Sequence, residues 1–188
     1  VPALAAAVCI AALDALATGA LHLDGLSDMA DGFGGGHTRD DVLRIMRDHQ
    51  IGAYGATALV LVLLLRIAAW QELIATHTLW PLLLAPCAGR WATVCLSWRG
   101  PYARPSGTGA VSRYVGRLEI ALATLTGLAA AFGLGQWRGL LLCLPVPVCA
   151  GVVLLWARRR IGGVTGDVIG AATIVSESLV LLLAVARW

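Results

Sequence analysis

Six stretches of predominantly apolar residues, at positions 3–22, 53–70, 78–98, 119–136, 139–157 and 168–186, leave this 188-residue chain little choice of solvent. A helix needs about 20 such residues to cross the hydrocarbon core of a bilayer, and each stretch meets or approaches that length. The composition agrees: 59% of residues are hydrophobic and only 13% charged, with a mean hydropathy of +0.79, well outside the range of a soluble domain. The sequence therefore predicts an all-α, polytopic transmembrane bundle of about six spans, forming a single integral membrane domain over residues 1–188. Only Gln136, Trp137 and Arg138 separate the fourth stretch from the fifth, which predicts a tight turn between antiparallel helices. Pro81 and Pro86 in the third stretch, and Pro145 and Pro147 in the fifth, predict kinks.

Orientation follows from charge. All 14 basic residues are arginine, and ten fall in three alternate connections: Arg39, Arg44 and Arg47; Arg99, Arg104, Arg113 and Arg117; Arg158, Arg159 and Arg160. Arg138 and Arg187 lie on the opposite side, and Arg66 and Arg90 lie within spans. The positive-inside rule places the arginine-rich connections in the cytoplasm. For each of these arginines, topology alone and a role in holding phosphate both remain open. Cys9, Cys87, Cys95, Cys143 and Cys149 sit in apolar runs with no CxxC or Cys/His spacing, so buried, inert thiols are expected rather than disulfides or a zinc site. The chain starts at Val1 with no basic leader before its first apolar run, so that run is not a signal peptide by pattern; a missing N-terminal portion is expected.

The informative stretch leaves the inner end of the first span: His22, Asp24, Asp28 and Asp31, followed by Gly32, Gly34, Gly35 and Gly36. On one continuous helix the three aspartates project within an arc of roughly 60°. Like charges so crowded repel one another unless a cation sits among them. Hard divalent ions with oxygen ligands, Mg²⁺ above all, are the candidates. Because Mg²⁺ completes its shell with water and substrate phosphates, the cluster implies a phosphate-bearing ligand. Asp48 stands just before the second span re-enters the membrane, and Asp167 opens the last span, so both are expected at the same membrane face. The glycines after Asp31 either end the helix or admit a ligand. Asp14, Glu177 and Arg90 lie inside spans, where ionisable groups are functional candidates; Arg90 either pairs with one of these acids or meets substrate. His22 either hydrogen-bonds at the interface or aids catalysis.

Four segments carry a family resemblance: Leu21–Gly32, with its three aspartates; Ile45–Gly55, with Arg47 and Asp48; Pro101–Gly107, with Arg104; and Gly162–Ala171, with Asp167. In order and spacing they resemble the cobalamin synthase family, over nearly the whole chain, and the first and last segments are the specific ones. The resemblance implies a Mg²⁺-dependent, multi-pass enzyme of the bacterial inner membrane with its active site facing the cytoplasm. Such an enzyme joins α-ribazole or α-ribazole 5′-phosphate to adenosylcobinamide-GDP, giving adenosylcobalamin or its phosphate and GMP. Carried onto this chain, it implies Asp24, Asp28 and Asp31 as metal ligands, Asp28, Asp31 and Asp48 as catalytic carboxylates, and His22, Arg47, Arg104 and Asp167 as substrate contacts. No nucleic-acid partner is implied, and a homo-oligomer stays open. Two departures from the family stand out: its members carry another apolar region upstream, and a small hydroxyl residue often occupies the position of His49.

The expected reaction is substitution at phosphorus, with the 5′ hydroxyl of ribazole as attacking group, Asp48 as its base and GMP as leaving group. The alternatives are another membrane transferase acting on a nucleotide-activated or pyrophosphate substrate, or a cation-coupled transporter. The spacing of Asp24, Asp28 and Asp31 fits neither a CDP-alcohol phosphotransferase nor an aromatic prenyltransferase. Transporters place their acids near the midplane, often in repeats, whereas most acids here fall at one face.

Overall fold

A computed structural model describes residues 1–104 and 108–186, and among them the regular structure is helical. The helices are α1 (Ala3–Thr18), α2 (Leu21–Gly35), α3 (Arg39–Ile45), α4 (Ala53–Ala75), α5 (Trp80–Arg99), α6 (Arg117–Cys143), α7 (Pro145–Ile161) and α8 (Gly166–Val185), with a 3₁₀ segment at Thr108–Tyr114. Each of the six apolar stretches contains helix. Three helices, α4, α6 and α8, are by themselves long and apolar enough to cross a membrane, and α1 with α2 qualifies only as a pair bent by 87°. Three helices and one bent pair thus have that length and apolarity, fewer than the six spans expected. The reasons are local: α1 has 16 residues, α7 has 17 and ends on three arginines, and α5 carries Arg90 and Arg99.

The largest departure from expectation lies at residues 19–20. The first span does not run on into the aspartate segment. Gly19 (φ 58°) and Ala20 (φ 55°) both adopt the left-handed conformation, and their N–H groups bond back to Leu16 and Ala15 carbonyls at 3.3 and 2.7 Å. These bonds close α1 and turn the chain sideways into α2. The turn at Gln136 is as expected: its φ of 52° and ψ of −139° break α6 into two helical segments. The second segment ends at Cys143, and Leu144, whose N–H bonds to the Leu141 carbonyl at 3.2 Å, separates it from α7. Pro81 and Pro145 lie in first turns, where no intrahelical N–H partner is needed, so of the four prolines only Pro86 stands clearly inside a helix.

α8 forms the centre, with 67% of its most apolar stretch buried, against 6% for that of α6. Its neighbours reach it through small side chains: Ala88 and Ala92 of α5, and Ala171 and Ala172 of α8 itself, are all nearly inaccessible. Close backbone approach through small residues is the way helices associate where the solvent is itself apolar. The outer surface of α6 presents Leu118, Leu122, Leu125 and Phe132, a composition suited to lipid. All five cysteines are unpaired; Cys143 is buried, but Cys9 and Cys87 are exposed, contrary to the expectation that all are interior.

One end of the bundle gathers the arginine-bearing connections, and many of those arginines act on backbone. Arg39 donates through Nε to the Ile161 carbonyl and through Nη2 to that of Ala103. Arg160 donates to the carbonyls of Phe33 and Gly36, and Arg158 to that of Arg99. Most of these oxygens lie at or just beyond helix C-termini, whose last carbonyls lack intrahelical partners. The 100–104 segment is tied to the α7–α8 connection by a bridge between Tyr102 and Val164, with Ala103 N–H to Val164 O and Val164 N–H to Pro101 O, both 2.8 Å. That tie sets Arg104 beside the start of α8.

Candidate active site

Asp24 and Asp28, on successive turns of α2, line a cavity of about 300 Å³ with Arg47, Asp48, His49 and Arg104. Three of the four sequence segments singled out above therefore meet at one end of the bundle. The fourth joins through an ion pair: Arg104 Nη2 lies 3.0 Å from Asp167 Oδ2, which also accepts the Thr165 hydroxyl at 3.2 Å. Thr165 in turn caps α8, accepting the Val168 N–H. Asp167 thus stands behind the cavity and orients Arg104. Arg104 also donates to the Met46 carbonyl. Of the Pro101–Gly107 segment, Pro105, Ser106 and Gly107 lie outside the described residues.

Asp31 takes a different position from its two neighbours. Its side chain is buried, 8% exposed, and accepts the N–H groups of Gly52 at 2.7 Å and Gly55 at 2.8 Å. These are the N-cap and third residue of α4, so a carboxylate from another helix satisfies two of the donors that a helix start leaves open. Hydrogen bonds to a charged acceptor contribute about 1.5–3 kcal/mol each. Both partners must be glycine here: a Cβ at Gly52 would sit 2.5 Å from Asp31 Oδ1, and one at Gly55 2.3 Å from Oδ2. The spacing places all three aspartates on one helix as expected, but burial divides them into a cavity-lining pair and an anchor for α4.

Crowding is electrically costly at Asp28. Burial, and then the neighbouring carboxylates of Asp24 and Asp167, push its carboxyl up to about 7, against the opposing pull of Arg104. Among the described residues no three acidic, histidine or cysteine side chains come close enough to hold a metal by themselves. Two adjacent carboxylates in one cavity, repelling each other, are nevertheless the donor set Mg²⁺ takes when water and phosphate complete its shell. Asp48 engages one oxygen, Oδ1, with the Gln50 N–H at 3.1 Å and sits exposed at the cavity wall.

His22 does not line the cavity. It lies in the first turn of α2, its Nε2 meets Arg90 Nη1, and its Nδ1 is buried without a partner among the described residues. Deeper still, Arg66 joins Asp14 at 3.0 Å and Glu177 at 2.9 Å and lies 4.7 Å over the Trp70 ring. Arg90 stands 3.8 Å from Glu177. The ion pairing expected of Arg90 therefore falls mainly to Arg66. The sequence does mark Arg66 as a lone cation in an apolar span, but the partner choice among two arginines and two acids depends on how the helices are rotated. Met46, Gln50 and Ile51 also line the cavity, a role their residue types do not signal.

The family model described as cobalamin-5-phosphate synthase matches residues 1–185. The chain belongs to that family. A Syntrophobacter fumaroxidans protein is 40% identical over 189 residues, covering 96% of this chain and 74% of its own length. Proteins from Desulforamulus reducens (41% over 167 residues; 88% and 67%) and Ralstonia nicotianae (40% over 189; 96% and 71%) are similarly related. All three are named adenosylcobinamide-GDP ribazoletransferase. No solved structure matches the chain. The family match thus spans every segment that builds the cavity.

Proposed function

We infer that this chain is an adenosylcobinamide-GDP ribazoletransferase, an enzyme that moves a phosphorus-containing group from a guanosine diphosphate-linked donor to a ribazole acceptor. The observation that carries the reading is the match over residues 1–185, within which Asp24, Asp28, Arg47, Asp48 and Arg104 line one cavity.

In the reaction, an acceptor hydroxyl forms a bond to the phosphorus that bears cobinamide. The bond from that phosphorus to the bridging oxygen breaks, and GMP leaves with that oxygen. An acceptor that already carries a 5′-phosphate has no free 5′ hydroxyl, so a secondary hydroxyl of the ribose replaces the 5′ attack expected from the sequence. Asp48, with one oxygen unengaged by Gln50, accepts the proton. Arg47 and Arg104 offset charge on the non-bridging phosphate oxygens. Asp24 and Asp28 would hold Mg²⁺, which when bound supplies neutralisation of the diphosphate and of the departing GMP. Asp31 serves the site by fixing the start of α4. The arginine-rich end of the bundle faces the cytoplasm of a bacterial inner membrane, by the positive-inside rule, and the exposed leucines of α6 meet lipid.

The test is GMP release from adenosylcobinamide-GDP by the purified protein in detergent, with α-ribazole or its 5′-phosphate as acceptor. Release that depends on acceptor and on Mg²⁺, and stops with a chelator, is the expected result. Turnover unaffected by chelation would remove the metal from the mechanism, and absence of GMP under all conditions would remove the function.

A further inference from the structure

Beside the aspartate cavity, α3 and the 102–104 segment enclose a second groove, of about 690 Å³. Arg39, Arg44, Arg47 and Arg104 line it, with Tyr102 and a single acid, Asp40. Arg47 and Arg104 line both cavities, so the two adjoin across these side chains. Arg39, Arg44 and Arg104 each have a carboxylate nearby, in Asp40, Asp41 and Asp167, and Arg47 has none among the described residues, so the recess is lined chiefly by guanidinium groups with an excess of positive charge.

The four arginines differ in how far their donors are already used. Arg39 is spent on two carbonyls and lies 3.6 Å from Asp40. Arg104 holds Asp167, yet its Nε is buried with no partner. Among the described residues Arg44 pairs with Asp41 alone, at 3.8 Å, with its side chain 71% exposed. The Arg47 side chain makes no hydrogen bond or ion pair among the described residues. Arg44 and Arg47 are thus three residues apart, lining the same groove, with most of their donors unsatisfied. Guanidinium forks in such an arrangement match the oxygens of a phosphate group. A lone surface arginine would need only water, but the largely unengaged Arg44 and Arg47 share one recess with Arg39 and Arg104, where an entering anion offsets their charge.

We propose that this groove is a subsite for the phosphate monoester of a nucleotide, adjoining the cavity where phosphorus is transferred. The proposal rests on the functional reading above, under which two participants carry that group: GMP as it departs, and the acceptor when it is 5′-phosphorylated. The reacting diphosphate belongs to the aspartate cavity, so the groove takes a phosphate that is not itself attacked, or GMP once it has left. Tyr102 adds an aromatic surface to the wall, suited to a base or sugar attached to that phosphate.

Arg44→Ala is the variant of choice, because the side chain is mostly exposed and contributes little to packing. The full chain in detergent is assayed for product inhibition by GMP and by guanosine, and for kcat/KM with α-ribazole and with its 5′-phosphate. If the groove holds the leaving group, Arg44→Ala raises the inhibition constant of GMP about tenfold or more and leaves guanosine unchanged. If it holds the acceptor, the ratio of kcat/KM for the phosphorylated over the free acceptor falls by a similar factor. Arg44→Lys, which keeps the charge but loses the fork, should lie between wild type and Arg44→Ala in either case. Both quantities staying within twofold of wild type would overturn the proposal. Direct titration of GMP into wild type and Arg44→Ala separates this outcome from failure of the functional reading. A wild-type protein that turns over nothing but loses GMP affinity on Arg44→Ala would keep the subsite and discard the reaction.

Discussion

At the scale of single residues, the three aspartates of α2 divide by what surrounds each oxygen. Asp28 shares a cavity with Asp24, whereas both oxygens of Asp31 receive N–H groups from the start of α4. Asp28→Asn is therefore predicted to weaken Mn²⁺ or Mg²⁺ binding and to lower turnover about 100-fold or more. Asp31→Asn should leave metal affinity within about threefold, while lowering the melting temperature through loss of a charged cap, at a cost of about 1–3 kcal/mol. Metal titration and thermal unfolding of both variants check the division; equal loss of metal binding would make Asp31 a ligand after all. Asp48→Asn should reduce kcat about 100-fold with little change in metal affinity, as expected of a proton acceptor. Full turnover in that variant would exclude it as the base. The residue types and their spacing made all of these acids visible in the sequence. Nothing in the spacing separated Asp31 from Asp28, because the distinction comes from Gly52 and Gly55, over twenty residues away, lacking the Cβ that would collide with its carboxylate.

At the scale of elements, the 87° bend between α1 and α2 decides where the aspartates go. Two consecutive left-handed residues build it, and only one of them is glycine. A non-glycine residue in that conformation carries roughly 1–2 kcal/mol of strain. Ala20→Gly is predicted to stabilise the protein by about 1 kcal/mol and Gly19→Ala to destabilise it by a similar amount, both read from thermal unfolding in detergent. An unchanged melting temperature for Gly19→Ala would mean that the left-handed turn does not exist. Apolar periodicity could not reveal this break, since residues 3–35 read as one span running into a polar extension; backbone conformation at Gly19 and Ala20 interrupts it. By contrast, the turn at Gln136 was legible, because three polar or interfacial residues stand between two apolar runs too long to form a single span.

At the scale of the whole molecule, one buried ionic junction links α1, α4, α5 and α8, with Arg66 holding Asp14 and Glu177 and Arg90 close by. Removing the central cation leaves Glu177, 3% exposed in its side chain, with the more distant Arg90 at 3.8 Å as its cation. Arg66→Met should therefore cost about 3–5 kcal/mol of stability, and Arg66→Met with Glu177→Gln should recover part of it; a single variant that melts like wild type would show the junction to be dispensable. Orientation is tested separately: in a cysteine-free background, Arg44→Cys should react with an impermeant maleimide in inside-out vesicles and not in right-side-out ones. The sequence by itself determined the all-helical membrane architecture, the gathering of arginine-rich connections at one face and the family, because each depends on residue types and their order along the chain. Only the tertiary structure decided which arginine meets the buried acids, which aspartate anchors a helix instead of facing the cavity, and that a second, basic groove adjoins the first. Those outcomes depend on helix rotation, on one left-handed turn and on glycines far away in sequence, and contacts between distant segments leave no periodic trace in either one.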